Sequence, residues 1–448
     1  MRFSLVALLL LTNLALFAQP KINSPYSKYG IGDPVSQFFA NHAAWGGQTA
    51  AFHDPFHINQ LNPASFARLR ATAFEAGLNA KYARLASATS STNLWSGNLA
   101  YLALGFTLKS PINEVLDRNR SPWSYGMGVA LTPYTLVGYN VQTLDTLPDL
   151  GVVASSFNGS GGSYRLNWSN GVKYKNTAFG LNLGWVFGKS VYDNQTNFSL
   201  GDSLPGSQSS FLTVRREDLR INGLVWNVGI QHDFVLKTAD NDKITPTRWL
   251  TIGITGESNH KLRAVNDALF VRTRGISAAG NYIDADTLQS SLGERQSLTL
   301  PATFGVGFQY VRANKLKLGA QFDYGGWASY RNEARPETMR NTTSVSGGVE
   351  YIPDHVSYNN YGKRIRYRLG AYYRQDPRIL NDKGLDDIGL SFGLGLPLIL
   401  PRQQASFINT AFEVGLLGAN TPIEETYFRI TVGFTLNDNS WFYKRRFE

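Results

Sequence analysis

Ser297-Leu298-Thr299-Leu300-Pro301-Ala302-Thr303-Phe304-Gly305-Val306-Gly307-Phe308-Gln309-Tyr310 and, a few residues on, Lys315-Leu316-Lys317-Leu318-Gly319-Ala320-Gln321-Phe322-Asp323-Tyr324 decide the fold. In the second run Leu316, Leu318, Ala320, Phe322 and Tyr324 alternate with Lys315, Lys317, Gly319, Gln321 and Asp323. In the first, Leu298, Leu300, Ala302, Phe304, Val306, Phe308 and Tyr310 oppose Ser297, Thr299, Thr303, Gly305, Gly307 and Gln309. A period of two puts all the apolar residues on one face of a strand, and no helical period fits. The same pattern closes the chain, where Phe428, Ile430, Val432, Phe434 and Leu436 oppose Tyr427, Arg429, Thr431, Gly433 and Thr435.

Working outward, the pattern predicts strands at 72–86, 94–109, 123–143, 162–175, 177–192, 211–236, 248–272, 297–312, 315–331, 342–352, 363–376, 385–397, 405–417 and 426–436. An even set of about fourteen, mostly long enough to cross a bilayer on a tilt, predicts an all-β transmembrane antiparallel β-barrel. The stretches 144–161, 193–210 and 273–296 read as outward loops, and 109–122 as a long inward one. The second face of several strands is small instead of charged. Gly389, Ser391, Gly393 and Gly395 line one strand, and Ala178, Gly180, Asn182, Gly184 and Gly188 another. A soluble sandwich would put charges there, and an open porin would carry charged rings. Small residues suit a lumen that something else fills.

Composition agrees. Of 448 residues only 17% are charged, with 43 Gly, 22 Tyr and 26 Phe. A soluble domain carries about a quarter charged residues, whereas lipid-facing strands carry aromatic girdles. The mean hydropathy of −0.22 excludes a polytopic helical protein. With no cysteine there are no disulfides, thiolate metal sites or lipobox anchor. A net charge of +10 comes from scattered Lys and Arg, which argues for anionic outer-membrane lipid as a partner and against nucleic acid. Arg2, the apolar run Leu5 to Leu11 and a cleavage point after Ala18 read as a secretory signal peptide, 1–18. An exported chain of this pattern belongs in the bacterial outer membrane. The expected organisation is signal peptide 1–18, hatch or plug 19–70, barrel 71–436 and periplasmic tail 437–448, the tail a candidate contact for barrel assembly machinery.

The segment 19–70 lacks alternation but carries Phe38, Phe39, Trp45, Phe52, Phe56, Leu61 and Phe66 among turn formers. Such residues want burial, and the lumen is where they find it. Gly46-Gly47-Gln48-Thr49-Ala50-Ala51 leads to Asn62-Pro63-Ala64 just before the first strand. That arrangement resembles the hatch of FadL/TodX-type outer-membrane proteins, and Ser24-Pro25-Tyr26-Ser27-Lys28-Tyr29-Gly30-Ile31-Gly32-Asp33 is similar to a Bacteroidetes-like branch of them. The resemblance implies a fourteen-stranded barrel with a hatch motif at Gly46, Gly47, Asn62, Pro63 and Ala64. It further implies passive uptake of hydrophobic small molecules of the long-chain fatty acid or aromatic type. A docking barrel that holds a secreted-protein partner, as in type IX secretion, is the alternative.

No enzyme is expected. Gly389-Leu390-Ser391-Phe392-Gly393 matches a nucleophile-elbow pattern, but alternation runs straight through it where a strained turn is needed. His53 and His57 flank Pro55, which breaks the helix that a metal pair would need, so neither metal nor cofactor is expected. Arg366, Arg368 and Arg374 share the lumen-facing side of their strand, where they can meet hatch carboxylates such as Asp33 or Asp54.

Overall fold

A computed structural model describes residues 24–438, except 89, 109–120, 148–150, 200–211, 241–244, 278–279, 401–403 and 420. The expected signal peptide, most of the loop 109–122 and the tail beyond Asp438 lie outside the described residues; Asn437 and Asp438 belong to the last strand.

Fourteen antiparallel staves form a closed barrel. They are β1 (Thr72–Ser87), β2 (Ser91–Thr107), β3 (Trp123–Leu147), β4 (Gly151–Tyr174), β5 (Thr177–Ser199), β6 (Leu212–Thr238) and β7, which is broken into Pro246–Glu257 and His260–Thr273. There follow β8, broken into Asp286–Leu300 and Thr303–Arg312, then β9 (Leu316–Gly325), β10 (Thr342–Tyr351), β11 (Arg366–Leu380), β12 (Lys383–Leu400), β13 (Gln404–Leu417) and β14 (Ile423–Asp438). The ring closes where β1 pairs with β14, from Thr72 opposite Asp438 to Ser87 opposite Ile423. Both barrel termini sit at one end, called the inner end below.

Three expectations are corrected. The stretch read as a loop at 144–161 is largely strand, and 193–199 of the stretch 193–210 continues β5 while its remainder lies outside the described residues; β3, β4 and β5 run 25, 24 and 23 residues. A membrane crossing needs only about 9–11. Their outer parts have no lipid face to mark them, yet their backbone pairing continues. The third loop, 273–296, likewise holds the start of β8. Second, the run 297–312 is not one straight strand. It breaks at Pro301-Ala302, and Leu298 and Leu300 turn inward to burial while Phe304 and Phe308 face lipid. Proline has no N–H to give the ladder, so the strand restarts with its faces exchanged. β7 breaks beside it at Ser258-Asn259. Third, the strand expected to reach 331 stops at Gly325, where a short helical turn, Trp327–Ser329, begins.

Above these breaks the barrel wall divides. β2 and β3 pair only from Leu102 opposite Leu131 to Thr107 opposite Gly126. On the far side, β8 pairs above its break with β7, and on its other edge, among the described residues, only through Leu298 and Thr299 with Asn332 and Arg331. The outer parts of β3 to β8 therefore stand as a six-stranded sheet extending beyond the inner barrel. Its concave face carries a buried apolar core that includes Val137, Leu219, Ile221, Leu262, Leu298 and Leu300.

The N-terminal segment threads the lumen from the outer half to the inner end. Asp33–Pro34 adds to the free edge of β3 opposite Leu136 and Thr135. A four-residue helix, Ala40–Ala43, packs on β13 and β14. The 3-10 turn Pro63–Arg68 packs against β3 to β6 before Leu69 leads out to β1.

Candidate functional site

A lumen packed this closely needs a wall that a backbone can touch, and glycine supplies it. Gly126, Gly171, Gly180 and Gly229 lie directly opposite one another across β3, β4, β5 and β6. A Cβ at Gly126 would collide with the Phe66 carbonyl, at Gly180 with Pro63 and Ala64, and at Gly229 with the Asn62 side chain. Across the lumen, Gly348 and Gly370 are paired neighbours, and both abut Trp45. Gly253 meets Ala50 in the same way. The small wall residues are thus the complement of the hatch backbone.

The hatch motif residues shape that backbone. Asn62 is fully buried and caps the 3-10 turn, its Oδ1 accepting from the Ala64 N–H at 3.1 Å. Its Nδ2 donates to the Ala50 carbonyl at 2.6 Å, tying the two ends of the hatch loop together. Pro63 takes the first position of the turn, where no N–H is missed. Gly46 and Gly47 have φ of +94° and +83°, a left-handed path closed to most side chains. The Gly46 N–H donates to Ser391 Oγ at 2.9 Å, so the serine of the elbow-like pattern is a buried tether for the hatch.

Charge locks the assembly. Asp54 is the hub: Oδ2 receives Lys317 at 2.9 Å and Arg366 at 2.8 Å, and Oδ1 meets His57 Nδ1 at 3.1 Å. Lys317 also pairs with Glu350 at 3.1 Å, and Glu350 with Arg368 at 2.7 Å. Arg368 donates to Asn409 Oδ1 at 2.8 Å, and Asn409 Nδ2 reaches His57 Nε2 at 3.1 Å. The path Asp54–Lys317–Glu350–Arg368–Asn409–His57 is a closed ring joining hatch to wall. Since Asn409 offers an N–H, His57 Nε2 must accept, which leaves the proton on Nδ1 facing Asp54. Burial pushes His57 down to about 4, so it is neutral in this ring. Burial works to raise Asp54, but Lys317 and Arg366 outweigh it and hold the carboxyl well below its usual range.

The three arginines expected in the lumen take different partners. Arg366 holds Asp54, Arg368 holds Glu350, and Arg374 donates to the Gly46 carbonyl at 3.1 Å. Asp33 pairs instead with Arg378. At the inner end Arg68 binds Asp233, which His53 Nε2 also contacts at 3.2 Å. Burial lowers His53 to about 4. The roles of Lys317, Glu350, Arg378 and Asn409 lie beyond the sequence reading. Lys317 and Glu350 carry a readable signal all the same, since a charge on the lumen side of a membrane strand needs a partner. Among the described residues no three ligating side chains form a metal cluster. Cavities flank the hatch on both sides. On the outer side one cavity, about 330 Å³, is lined by charged groups including Asp33, Lys81, Glu413, Glu425 and Arg429, and another, about 680 Å³, lies beside Tyr29, Glu337 and Met339. The inner one, about 650 Å³, opens at the end where the hatch joins β1.

The lipid-facing exterior matches this interior: Phe179, Leu181, Leu183 and Trp185 of β5 are exposed while Ala178 and Asn182 are buried. Solved structures share the architecture. A FadL homologue of Pseudomonas aeruginosa aligns with TM-score 0.53 and 14% identity over 89% of this chain and 98% of its own. The toluene transporter TodX of Pseudomonas putida gives 0.51 and 15%, over 92% and 100%. The fold is that of the FadL/TodX-type barrels of the bacterial outer membrane. No curated protein matches in sequence. The family model described as BamG matches residues 1–448, the whole length, and the chain belongs to the BamG family.

Proposed function

We propose that this barrel is a sealed membrane scaffold that holds partner proteins beside the barrel assembly machinery, and that in the closed state described above it passes no solute. The observation that carries this reading is the lock itself. A hatch pinned by a closed ring of charged and polar side chains and seated on bare glycine backbone occupies the lumen, and the outer cavity is lined by ion pairs. A site for acyl chains or aromatics would be mostly apolar. The family's name, which shares its prefix with that machinery, supports the same reading.

A second reading is favoured by the fold. The likeness to a FadL homologue and to a toluene transporter supports passive uptake of hydrophobic molecules, with the hatch shifting to open the lumen. Neither reading includes an enzymatic step. One pair of measurements separates them. Affinity purification from detergent-solubilised outer membranes should bring down assembly-machinery subunits, and liposomes bearing the intact protein should take up neither oleate nor toluene above background. Uptake without co-purification would replace the first reading by the second.

A further inference from the structure

The inner cavity holds more positive charge than the hatch lock uses. Among the described residues, the acidic side chains lining it are all engaged: Asp54 by Lys317 and Arg366, Asp233 by Arg68, and Glu350 by Lys317 and Arg368. Beyond these, Arg70, Lys175, Arg312 and Lys315 also line it, so among the described lining residues cations outnumber acids. They come from separate elements: the end of the hatch, the β4–β5 turn and the β8–β9 turn. Arg70, Lys175 and Arg312 are exposed to solvent. Lys175 lies over the Tyr174 ring, and Lys315 donates to the Pro353 carbonyl at 2.6 Å, contacts that fix position without neutralising charge. Like charges gathered around one cavity repel, and an anionic ligand relieves that cost.

We infer that this cavity is a docking site for an acidic peptide segment of a periplasmic partner. The hatch and the strand ends and turns around it make up the wall. Phe56, Leu69 and Trp249 stand among the cations, so the site offers apolar as well as ionic contact, which suits a segment mixing Asp or Glu with apolar side chains. The inference goes beyond the proposed role, because it holds whether or not that partner belongs to the assembly machinery and whether or not the barrel conducts.

The test uses the full-length protein in nanodiscs, with both faces accessible, and a fluorescent nonapeptide of repeating Glu-Glu-Leu. Anisotropy should report saturable binding that weakens by about tenfold or more between roughly 50 and 300 mM salt, while a Gln-Gln-Leu peptide fails to bind. Reversing the rim charges together (Arg70→Glu, Lys175→Glu, Arg312→Glu, Lys315→Glu) should abolish binding. Reversing Lys189, Arg215, Arg216 and Arg272 at the outer end should leave it unchanged. Absent or salt-insensitive binding, equal loss in the outer-end variant, or displacement by equimolar inorganic phosphate or by phosphatidylglycerol vesicles would each overturn the inference. Should the rim variant fail to fold, the salt titration and the two competitions on the unaltered protein decide alone.

Discussion

Along β6 the inner and outer halves of the molecule follow opposite rules. Between Leu224 and Leu236 the outward side chains Leu224, Trp226, Val228, Ile230 and Phe234 are exposed, while Asn227, Gly229 and Gln231 point inward. A few residues earlier, Leu219 and Ile221 are buried on the inner face, and Arg220 and Asn222 are exposed on the outer. The inner half is greasy outside and polar within, as lipid demands. The outer half is polar outside and greasy within, as water demands. One strand therefore records where the membrane ends, between Asn222 and Leu224. The two halves are also held together differently. The inner half depends on backbone contact and paired charge, and the outer half on ordinary apolar burial.

If that contrast is right, the largest effect should come from filling the glycine wall. Gly180→Val together with Gly370→Val puts side chains where Pro63, Ala64 and Trp45 sit, so the hatch should be expelled. Planar-bilayer conductance should rise from near zero to a porin-like level with the barrel still folded. Gly256→Val is the control, since nothing lies near its position. An unchanged, closed barrel in the double variant would mean that the wall does not seat the hatch. Next comes Asp54→Asn, which leaves Lys317 and Arg366 buried beside an uncharged amide. Removing one partner of a buried pair costs about 3–5 kcal/mol. That cost should appear as proteolytic cleavage within 40–70 and as intermittent channel opening. By contrast Leu298→Ala, costing about 2–5 kcal/mol, should loosen only the outer sheet. Hydrogen exchange should quicken in 212–222 and 260–273 and stay slow in the hatch.

A smaller effect is set by pH and separates the halves again. His53 and His57, both in the hatch, are held down to about 4 by burial from an ordinary value near 6.5. A depressed folded value means the hatch loses nothing above pH 6.5. It weakens as pH falls from there toward 4, because only the undocked state takes up protons. At pH 5.5 the loss is about 1 kcal/mol for each histidine. Hatch protection from exchange should therefore fall between pH 6.5 and 5 while the outer sheet holds. His57→Gln, which retains both hydrogen-bonding functions, should flatten part of that response.

Much of this is legible in the chain, for a reason that also marks where legibility stops. Period two is enforced by lipid, so every stave of the inner half is readable. The glycine faces at Gly180 and Gly393 announce a filled lumen because few other arrangements need so much bare backbone. The outer half escapes the reading because strands in water on one side and core on the other show a weaker and phase-reversed alternation. The exchange at Pro301, with Leu298 and Leu300 turning inward, is a case in point. The charge ring is readable only in part. Lys317 and Asp54 are visible as charges that need partners, but their meeting with Glu350, Arg368 and Asn409 depends on register from β9 to β13, which no local pattern encodes.

The smallest effect tests where the boundary lies. Arg220 pairs with Asp267 on the outer face of the protruding sheet, and its side chain is about half exposed. If that sheet stands in water, Arg220→Ala should change stability by less than about 1 kcal/mol, as exposed ion pairs do. Ile230→Arg, on the lipid face of the same strand and well past the boundary at Leu224, should instead cost about 2–4 kcal/mol if that position lies near the bilayer midplane. The two substitutions sit on one strand, so urea titrations in one detergent compare them directly. A costly Arg220→Ala would place lipid against the outer sheet, since Asp267 would then be stranded in hydrocarbon, and the division of the molecule into two halves would have to move outward.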